Sequence, residues 1–290
     1  MNKGRLLRNG IAERGLLHIM SAHSPLSALL AGEAGFDGLW ASGFELSALY
    51  GLPDVSLVSQ SQHLDMVRAM AECSDLPVVA DLDTGFGNAV NVDYVIPQYE
   101  RAGVGAVVIE DKTFPKVTSL VAGGRQELLR IEEFQGKIEA ACSSRRSDDL
   151  MVVARTEALI AGLGEDEALR RASAYEEAGA DMILIHSKQT TPDEIESFAR
   201  AWVGNVGLVI VPTLYPEMNE TRIRALQKIG MVIYGNHAIR AAVTAMQDVF
   251  ARVRKDGGIH NIDGDIVPVS EIFRLQRMDR VKDLEKRFLR

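Results

Sequence analysis

The sequence has few of the features that would set it apart from ordinary globular proteins. It contains two cysteines, Cys73 and Cys142, in 290 residues, too few for a disulfide framework and in keeping with a reducing compartment. It has no apolar run of the roughly 20 residues that cross a bilayer, and no apolar stretch follows its basic N-terminus. We therefore expect a cytoplasmic protein with neither a signal peptide nor a membrane partner.

Excess positive charge is also missing. Lys and Arg number 32 against 40 Asp and Glu, which gives a net charge of -8. Because phosphate backbones are bound by basic surfaces, this balance argues against nucleic acid as the main partner. We therefore expect a small-molecule ligand that is bound by local lysines and arginines.

The chain lacks a low-complexity linker, and short apolar runs alternate along it with helix-like segments. Most of these runs are apolar throughout, as in parallel strands that are covered on both faces. The eight predicted strands are Leu17–Ser21, Gly38–Ala41, Pro77–Ala80, Gly105–Ile109, Met151–Ala154, Asp181–Ile185, Leu208–Val211 and Met231–Tyr234. The predicted helices are Pro25–Ala34, Ser61–Cys73, Val90–Ala102, Arg130–Cys142, Glu165–Ala178, Pro192–Trp202, Glu217–Ile229 and His237–Arg254.

Eight β/α units without a break in composition predict a (β/α)8 barrel of the TIM type, with a doubly wound open sheet as the alternative. The barrel domain is predicted to span residues 1–290, with residues 256–290 as a helical extension that includes a helix over 269–290. Such a helix must pack on something, and a second subunit is one candidate. Three predicted helices end at an Ala-Gly pair, where a left-handed glycine would turn the chain back towards the sheet. These glycines are Gly35, Gly103 and Gly179.

Polar residues follow seven of the eight predicted strands. In barrels of this type the chemistry lies at the carboxyl ends of the strands. The polar residues at these ends include Ser42, Asp81, Glu110, Arg155, His186, Thr213 and Asn236. Their convergence on one rim favours an enzyme over a binding protein that has lost catalysis.

Acidic residues at two neighbouring strand ends predict a metal site. In an extended segment, Asp81 and Asp83 would point to the same side, and Glu110 ends the next strand. Carboxylate oxygens suit Mg²⁺, with another divalent ion such as Mn²⁺ or Co²⁺ as the alternative. Asp83 could instead only turn the chain. Asp54, in a loop, is either a metal partner or a solvated turn residue.

Cationic residues at the same rim predict an anion site. Arg155 at a strand end needs an anion, supplied either by Glu157 or by a ligand phosphoryl or carboxylate group. His186 is either a core histidine or a ligand contact. Lys112 and Lys116 lie in the loop after the fourth strand, which could close over such a ligand.

Five motifs together resemble those of the phosphoenolpyruvate mutase/isocitrate lyase superfamily, in its phosphonate branch, over nearly the whole chain. They are Trp40-Ala-Ser-Gly43, Asp81-Leu-Asp-Thr-Gly-Phe-Gly87, Glu110-Asp-Lys-Thr-Phe-Pro-Lys116, Arg155-Thr-Glu157 and Ile185-His-Ser187. The resemblance implies a modified (β/α)8 barrel whose terminal helix swaps between two subunits, usually in a dimer of dimers. It thus implies a homotetramer.

The resemblance also implies roles for individual residues. Asp81 is the implied direct Mg²⁺ ligand, and the residues implied to hold the waters of the metal are Asp83, Glu110 and Asp54. The backbone of Ser42 and Gly43 is implied to cradle the substrate carboxylate. Trp40 and Phe44 would pack around that carboxylate, Arg155 and His186 would contact the phosphoryl or carboxyl group, and Lys116 to Ser119 would form a gate.

The loop after the fourth strand departs from the superfamily in two places. Carbon–carbon lyases carry a catalytic cysteine there, whereas this loop reads Lys116-Val-Thr-Ser119. Mutases carry asparagine where Thr118 stands, and the branch that hydrolyses phosphonopyruvate resembles the threonine variant. The resemblance therefore implies hydrolysis of a carbon–phosphorus bond, with phosphoenolpyruvate/phosphonopyruvate interconversion as the alternative and a lyase less favoured. Thr118 would orient water, and Asp54 could assist the nucleophile.

Overall fold

Eight parallel strands form a closed barrel in the computed structural model, which describes residues 2–121, 123–124 and 126–290. Strand order follows sequence order, from β1 next to β2 round to β8 next to β1. The (β/α)8 prediction is confirmed, and every predicted strand is present with ends shifted by no more than two residues. The strands are β1 Leu17–Ala22, β2 Gly38–Ala41, β3 Val78–Asp81, β4 Ala106–Glu110, β5 Met151–Thr156, β6 Met182–Ile185, β7 Gly207–Ile210 and β8 Ile229–Tyr234.

The helices follow the predicted alternation, with additions. The observed helices are α1 Lys3–Arg14, α2 Pro25–Glu33, α3 Gly43–Leu49, α4 Gln60–Cys73, α5 Ala89–Arg101, α6 Ile131–Ser144, α7 Glu165–Glu177, α8 Asp193–Ala201, α9 Glu220–Leu226, α10 His237–Asp256, α11 Val269–Leu275 and α12 Met278–Phe288. The sequence did not predict α1 or α3. The single helix predicted over 269–290 was wrong, because left-handed Arg277 separates α11 from α12. The predicted Ala-Gly turns are confirmed, with positive φ angles at Gly35, Gly103 and Gly179.

Helix α1 explains how one end of the barrel is filled. The Asn2 side chain caps its start by accepting hydrogen bonds from Gly4 and Arg5 amides, and left-handed Gly15 ends it. Leu7, fully buried, packs with the apolar side chains inside the barrel, and a Cβ at Gly105 of the β4 entrance would lie 2.9 Å from its Cδ1. The helix therefore covers the amino ends of the strands and leaves the carboxyl ends for the polar residues.

The chain divides into two compact units, Met1–Ala238 and Ile239–Arg290. The first contains the whole barrel, and the second consists of α10 from Ile239 onward, α11 and α12. Large apolar side chains are exposed in the second unit, including Phe250, Phe273 and Phe288. Across the described residues, each helix is too short or too polar to cross a bilayer.

Candidate active site

A cavity of ≈ 170 Å³ opens at the carboxyl ends of the strands. The predicted site residues that line it are Trp40, Ser42, Phe44, Asp54, Asp81, Lys116, Thr118, Ser119, Arg155 and His186. The predicted residues outside this lining are Gly43, Asp83 and Glu110. The structure adds lining residues that were not chosen as site residues: Leu120, Val211, Thr213, Gly235 and Asn236. For Thr213 and Asn236 the sequence did carry a signal, since both follow predicted strands.

Asp81 and Asp83 converge, but not as alternating residues of an extended segment. That prediction was wrong: β3 ends at Asp81, and Asp83 lies in a turn with a φ of 50°. The Asp83 amide donates to Asp81 Oδ1 at 3.2 Å, and the Gly43 amide donates to Asp81 Oδ2 at 3.2 Å. A Cβ on Gly43 would lie 2.8 Å from Asp83 Oδ1 and 3.3 Å from Asp81 Oδ2. The two carboxylates therefore meet beside a glycine whose replacement by a larger residue would force the Asp83 carboxylate to shift.

Glu110, the last residue of β4, adds a third carboxylate and is only 1% exposed. Within the described part of the chain, neither of its carboxylate oxygens has a hydrogen-bond donor, although Arg155 Nε lies 3.3 Å from Oε2. Buried carboxylates are normally hydrogen-bonded, since leaving them without donors is unfavourable. The unused acceptors of Glu110 fit the water molecules that a bound Mg²⁺ retains.

The four carboxylates of Asp54, Asp81, Asp83 and Glu110, here termed the acid cluster, are not a preformed metal cage. Among the residues that the structure describes, no three Asp, Glu, His or Cys side chains converge closely enough to hold a metal by themselves. Mg²⁺ is commonly bound through one or two carboxylates and keeps several waters. The donor set therefore fits Mg²⁺ with Asp81 as the direct ligand and the other three acting through water, which stays a prediction.

Lys116 lies within the acid cluster. Its Nζ is 3.0 Å from Asp54 Oδ1 and 2.5 Å from Asp83 Oδ1. Burial acts to lower the pKa of Lys116, but Asp83, Asp54 and the other two carboxylates raise that pKa well above its usual value. Burial in turn raises the pKa of Asp83 to about 7, against the opposing effect of the ammonium. Lys116 is thus a permanent cation among the predicted metal ligands.

A second group of charges surrounds Glu157; we call Lys112, Ser119, Arg155, Glu157 and His186 the Glu157 network. Arg155 Nε donates to Glu157 Oε1 at 2.6 Å, so of the two alternatives for Arg155 the pairing with Glu157 is present, and the ligand contact stays a prediction. Ser119 Oγ donates to Glu157 Oε2 at 2.6 Å and accepts from Lys112 Nζ at 2.7 Å and from Arg155 Nη2 at 3.0 Å. The network therefore joins the loop after β4 to the ends of β5 and β6.

The Glu157 network carries positive charge to the cavity. Burial lowers the pKa of His186 and keeps its imidazole neutral, and its Nδ1 lies 3.0 Å from Arg155 Nη2 and 3.1 Å from Glu157 Oε1. If Nδ1 accepts the hydrogen bond from Arg155, the N–H at Nε2 is available to an anion. Burial raises the pKa of Glu157, but Arg155, Lys112 and His186 overcome that effect and lower it well below its usual value. Arg155 and His186 line the cavity, so an anionic ligand would meet both.

Asp111 positions Glu157, a role that sequence reasoning missed. It is fully buried, and its Oδ1 accepts from the Glu157 amide at 2.9 Å. Its Oδ2 accepts from Tyr175 at 2.7 Å and from Arg171 Nη1 at 3.1 Å. The only signal in the sequence is its place beside Glu110 at a strand end, since its partners on α7 are about 60 residues away.

The start of α3 forms the opposite wall of the cavity. Ser42 Oγ accepts from the Glu45 amide at 3.2 Å, which caps the helix, and donates to the Gly235 carbonyl at 3.2 Å. Trp40 is buried and Phe44 is 41% exposed, and both line the cavity. The Gly43 amide is engaged by Asp81, so a substrate carboxylate would have to share or replace that hydrogen bond. The predicted carboxylate cradle stays a prediction.

Comparisons with known proteins narrow the chemistry. A family model described as phosphoenolpyruvate phosphomutase matches residues 7–254. A phosphonopyruvate hydrolase of Variovorax sp. (strain Pal2) is 59% identical over 290 residues, covering 100% of both chains. A phosphoenolpyruvate phosphomutase of Tetrahymena pyriformis is 42% identical over 98% of this chain and 94% of the relative. A crystal structure of a phosphonopyruvate hydrolase in complex with oxalate and Mg²⁺ superimposes with a TM-score of 0.95 at 57% identity, covering 100% of both chains.

Proposed function

The chain belongs to the phosphoenolpyruvate phosphomutase family, and we propose that it is a Mg²⁺-dependent hydrolase of 3-phosphonopyruvate. Water and phosphonopyruvate would give pyruvate and inorganic phosphate. The observation that carries the proposal is the similarity to a phosphonopyruvate hydrolase, 59% over the full length, against 42% for a phosphomutase. Thr118 lies in the cavity wall at the loop position where the resemblance implies asparagine in mutases, and this difference supports the same choice.

The bond broken lies between phosphorus and a carbon next to a ketone. Its electron pair can therefore pass into the enolate of pyruvate, which is protonated to the methyl group, while phosphorus gains the oxygen of water. A divalent metal, when bound, supplies Lewis-acid stabilisation of enolate charge. Asp81 is the proposed direct ligand, and the residues proposed to hold its waters are Asp54, Asp83 and Glu110.

The charged residues around Glu157 are proposed to stabilise the phosphoryl group of the substrate. Phosphoryl transfer passes through a loose transition state whose charge is spread over the phosphoryl oxygens. Arg155 and His186 line the cavity, and donors held there by a buried network need little reorganisation as that charge develops. Lys116 and Ser119, which line the same cavity, are proposed to bring the loop after β4 over the substrate and to exclude bulk water. Asp54, also in the lining, is proposed to assist the attacking water.

A product assay tests the proposed reaction directly. Enzyme, Mg²⁺ and phosphonopyruvate are incubated and followed by phosphorus NMR, with pyruvate measured by a coupled dehydrogenase. We expect phosphate and pyruvate in equal amounts. Phosphoenolpyruvate as the product would show a mutase instead.

Thr118→Asn is expected to lower hydrolysis roughly 10- to 100-fold, because the longer amide would displace or misorient the attacking water in a closely fitted site. Thr118 is half-buried in the cavity wall, and its carbonyl accepts a hydrogen bond from Gln126 Nε2 at 3.1 Å. The measurement is kcat for phosphate release. Thr113→Asn is the matched control, since Thr113 lies in the same loop outside the cavity lining. Equal turnover in the two variants would remove Thr118 from the mechanism.

A homotetramer built as a dimer of helix-swapped dimers is part of the proposal. The exposed aromatic side chains of the second unit, Phe250, Phe273 and Phe288, support it, since monomers rarely leave so many uncovered. Sedimentation equilibrium should give the mass of four chains, and a monomer at micromolar concentration would contradict the assembly.

A cytoplasmic location is likewise proposed. Cys73 and Cys142 are both free thiols, and unpaired cysteines are the usual state in a reducing compartment. Cell fractionation in the source organism would test this, and recovery in an extracytoplasmic fraction would contradict it.

A further inference from the structure

Lys116 is attached to the acid cluster at two points. Its ammonium contacts Asp54 and Asp83, and its backbone amide donates to Ser56 Oγ at 3.2 Å. Ser56 and Asp54 belong to the segment between α3 and α4, about 60 residues earlier in the chain. The residue is 5% exposed, so the loop of residues 111–121 lies folded onto the acid cluster through this side chain.

The ammonium occupies oxygens of Asp54 and Asp83, two of the carboxylates that are proposed to hold the waters of the metal. Four carboxylates in a small buried volume repel one another unless a cation lies among them. Arg155 contacts only Glu110 of the four in the described ion pairs, and it is shared with Glu157. Lys116 is therefore the main counter-charge for Asp54 and Asp83. A divalent cation drawn to the same carboxylates would meet a like charge held against them.

We propose that Lys116 is a tethered counter-ion: it fills the acid cluster when no metal is bound, and an entering divalent cation expels it. Metal binding would then detach loop 111–121 from the acid cluster and free the ammonium for an anionic substrate in the cavity that it lines. The inference rests on the metal requirement of the proposed function. It adds an order of events, with metal first and substrate-dependent closure second.

Calorimetric titration with Mg²⁺ tests the competition. Lys116→Met is expected to bind Mg²⁺ at least about tenfold more tightly than the unmodified protein, because a unit charge a few ångströms from the metal opposes binding by more than 1.4 kcal/mol even at an effective dielectric constant near 20. Lys116→Arg should retain the weaker affinity. Unchanged or weaker Mg²⁺ binding by Lys116→Met would overturn the proposal.

Lys112→Met is the matched control for a general effect of charge. Lys112 lies in the same loop and is as deeply buried, but its Nζ contacts the Val117 carbonyl, Ser119 and Glu157 rather than the acid cluster. Its Mg²⁺ affinity should rise by a clearly smaller factor than that of Lys116→Met, because its charge is paired with Glu157 and does not contact the acid cluster. An equal gain in both variants would show long-range repulsion without occupation of the site, and would contradict the proposal.

Hydrogen exchange of the unmodified protein tests expulsion without any variant. Peptides spanning 113–119 should exchange faster when Mg²⁺ alone is added, because the Lys116 amide loses its bond to Ser56. Unchanged or slower exchange at saturating Mg²⁺ would contradict expulsion. The product assay separates this failure from that of the proposed function: hydrolysis that proceeds normally while exchange and affinity show no dependence on Lys116 would refute only the counter-ion.

Discussion

Asp81→Asn is expected to lower Mg²⁺-dependent hydrolysis by about 1,000-fold or more, since the lost Lewis-acid stabilisation amounts to several kcal/mol. Asp81 ends β3 at the cavity wall and is 5% exposed. Both of its oxygens already accept a backbone hydrogen bond, from Asp83 and Gly43. An asparagine would place an NH₂ group against one of these donors, so the variant loses both the metal ligand and the local hydrogen-bond pattern.

The two consequences of Asp81→Asn are separable by measurement. Calorimetry should show Mg²⁺ binding lost or weakened by at least tenfold, a factor worth about 1.4 kcal/mol, while circular dichroism reports whether the barrel is intact. Asp65→Asn makes the same charge change on the exposed face of α4, where Asp65 pairs with Arg68, and should behave as the unmodified protein. A folded Asp81→Asn protein with normal Mg²⁺ affinity and turnover would show that Asp81 is not the metal ligand.

The barrel was predictable because its signals are local and repeated. Each strand is a short apolar run, and the Ala-Gly turns at Gly35, Gly103 and Gly179 adopt the left-handed backbone that the pattern predicts. Helix α1 was missed because charged residues make up much of its sequence. Its apolar Leu7 packs against side chains inside the closed barrel, a contact that the local sequence pattern does not show. Seven-residue α3 was missed because it offers only about two turns of helical pattern beyond its cap at Ser42.

The acid cluster was predictable in membership, whereas its geometry depended on the tertiary structure. Strand ends brought Asp81 and Glu110 to one rim, as parallel strands require. The left-handed backbone of Asp83 left no periodic signal, since a positive φ at a non-glycine residue is set by its surroundings. Lys116 meets Asp54 across about 60 residues through a folded loop, a pairing that spacing along the chain does not encode.

Arg155→Met is expected to abolish hydrolysis and to reduce the free energy of unfolding by about 3–5 kcal/mol, the usual loss when one partner of a buried ion pair is removed. Arg155 donates to Glu157 and Ser119 and lies 3.3 Å from Glu110 Oε2. Without it, both glutamates are buried with fewer opposite charges. Denaturant unfolding measures the stability, and Arg170→Met is the control because the exposed Arg170–Glu167 pair should contribute at most about 1 kcal/mol.

A double-mutant cycle identifies the source of that loss. If Arg155 stabilises the fold by neutralising Glu157, then Glu157→Gln removes the buried charge that Arg155→Met leaves behind. The double variant should therefore be less destabilised than the sum of the two single variants, by at least about 1 kcal/mol. Turnover should not recover, because the cavity of the double variant no longer presents the Arg155 guanidinium to the substrate. Additive stabilities would mean that Lys112, 3.0 Å from Glu157 Oε2, suffices to neutralise Glu157, and that Arg155 is held at the end of β5 mainly for the ligand.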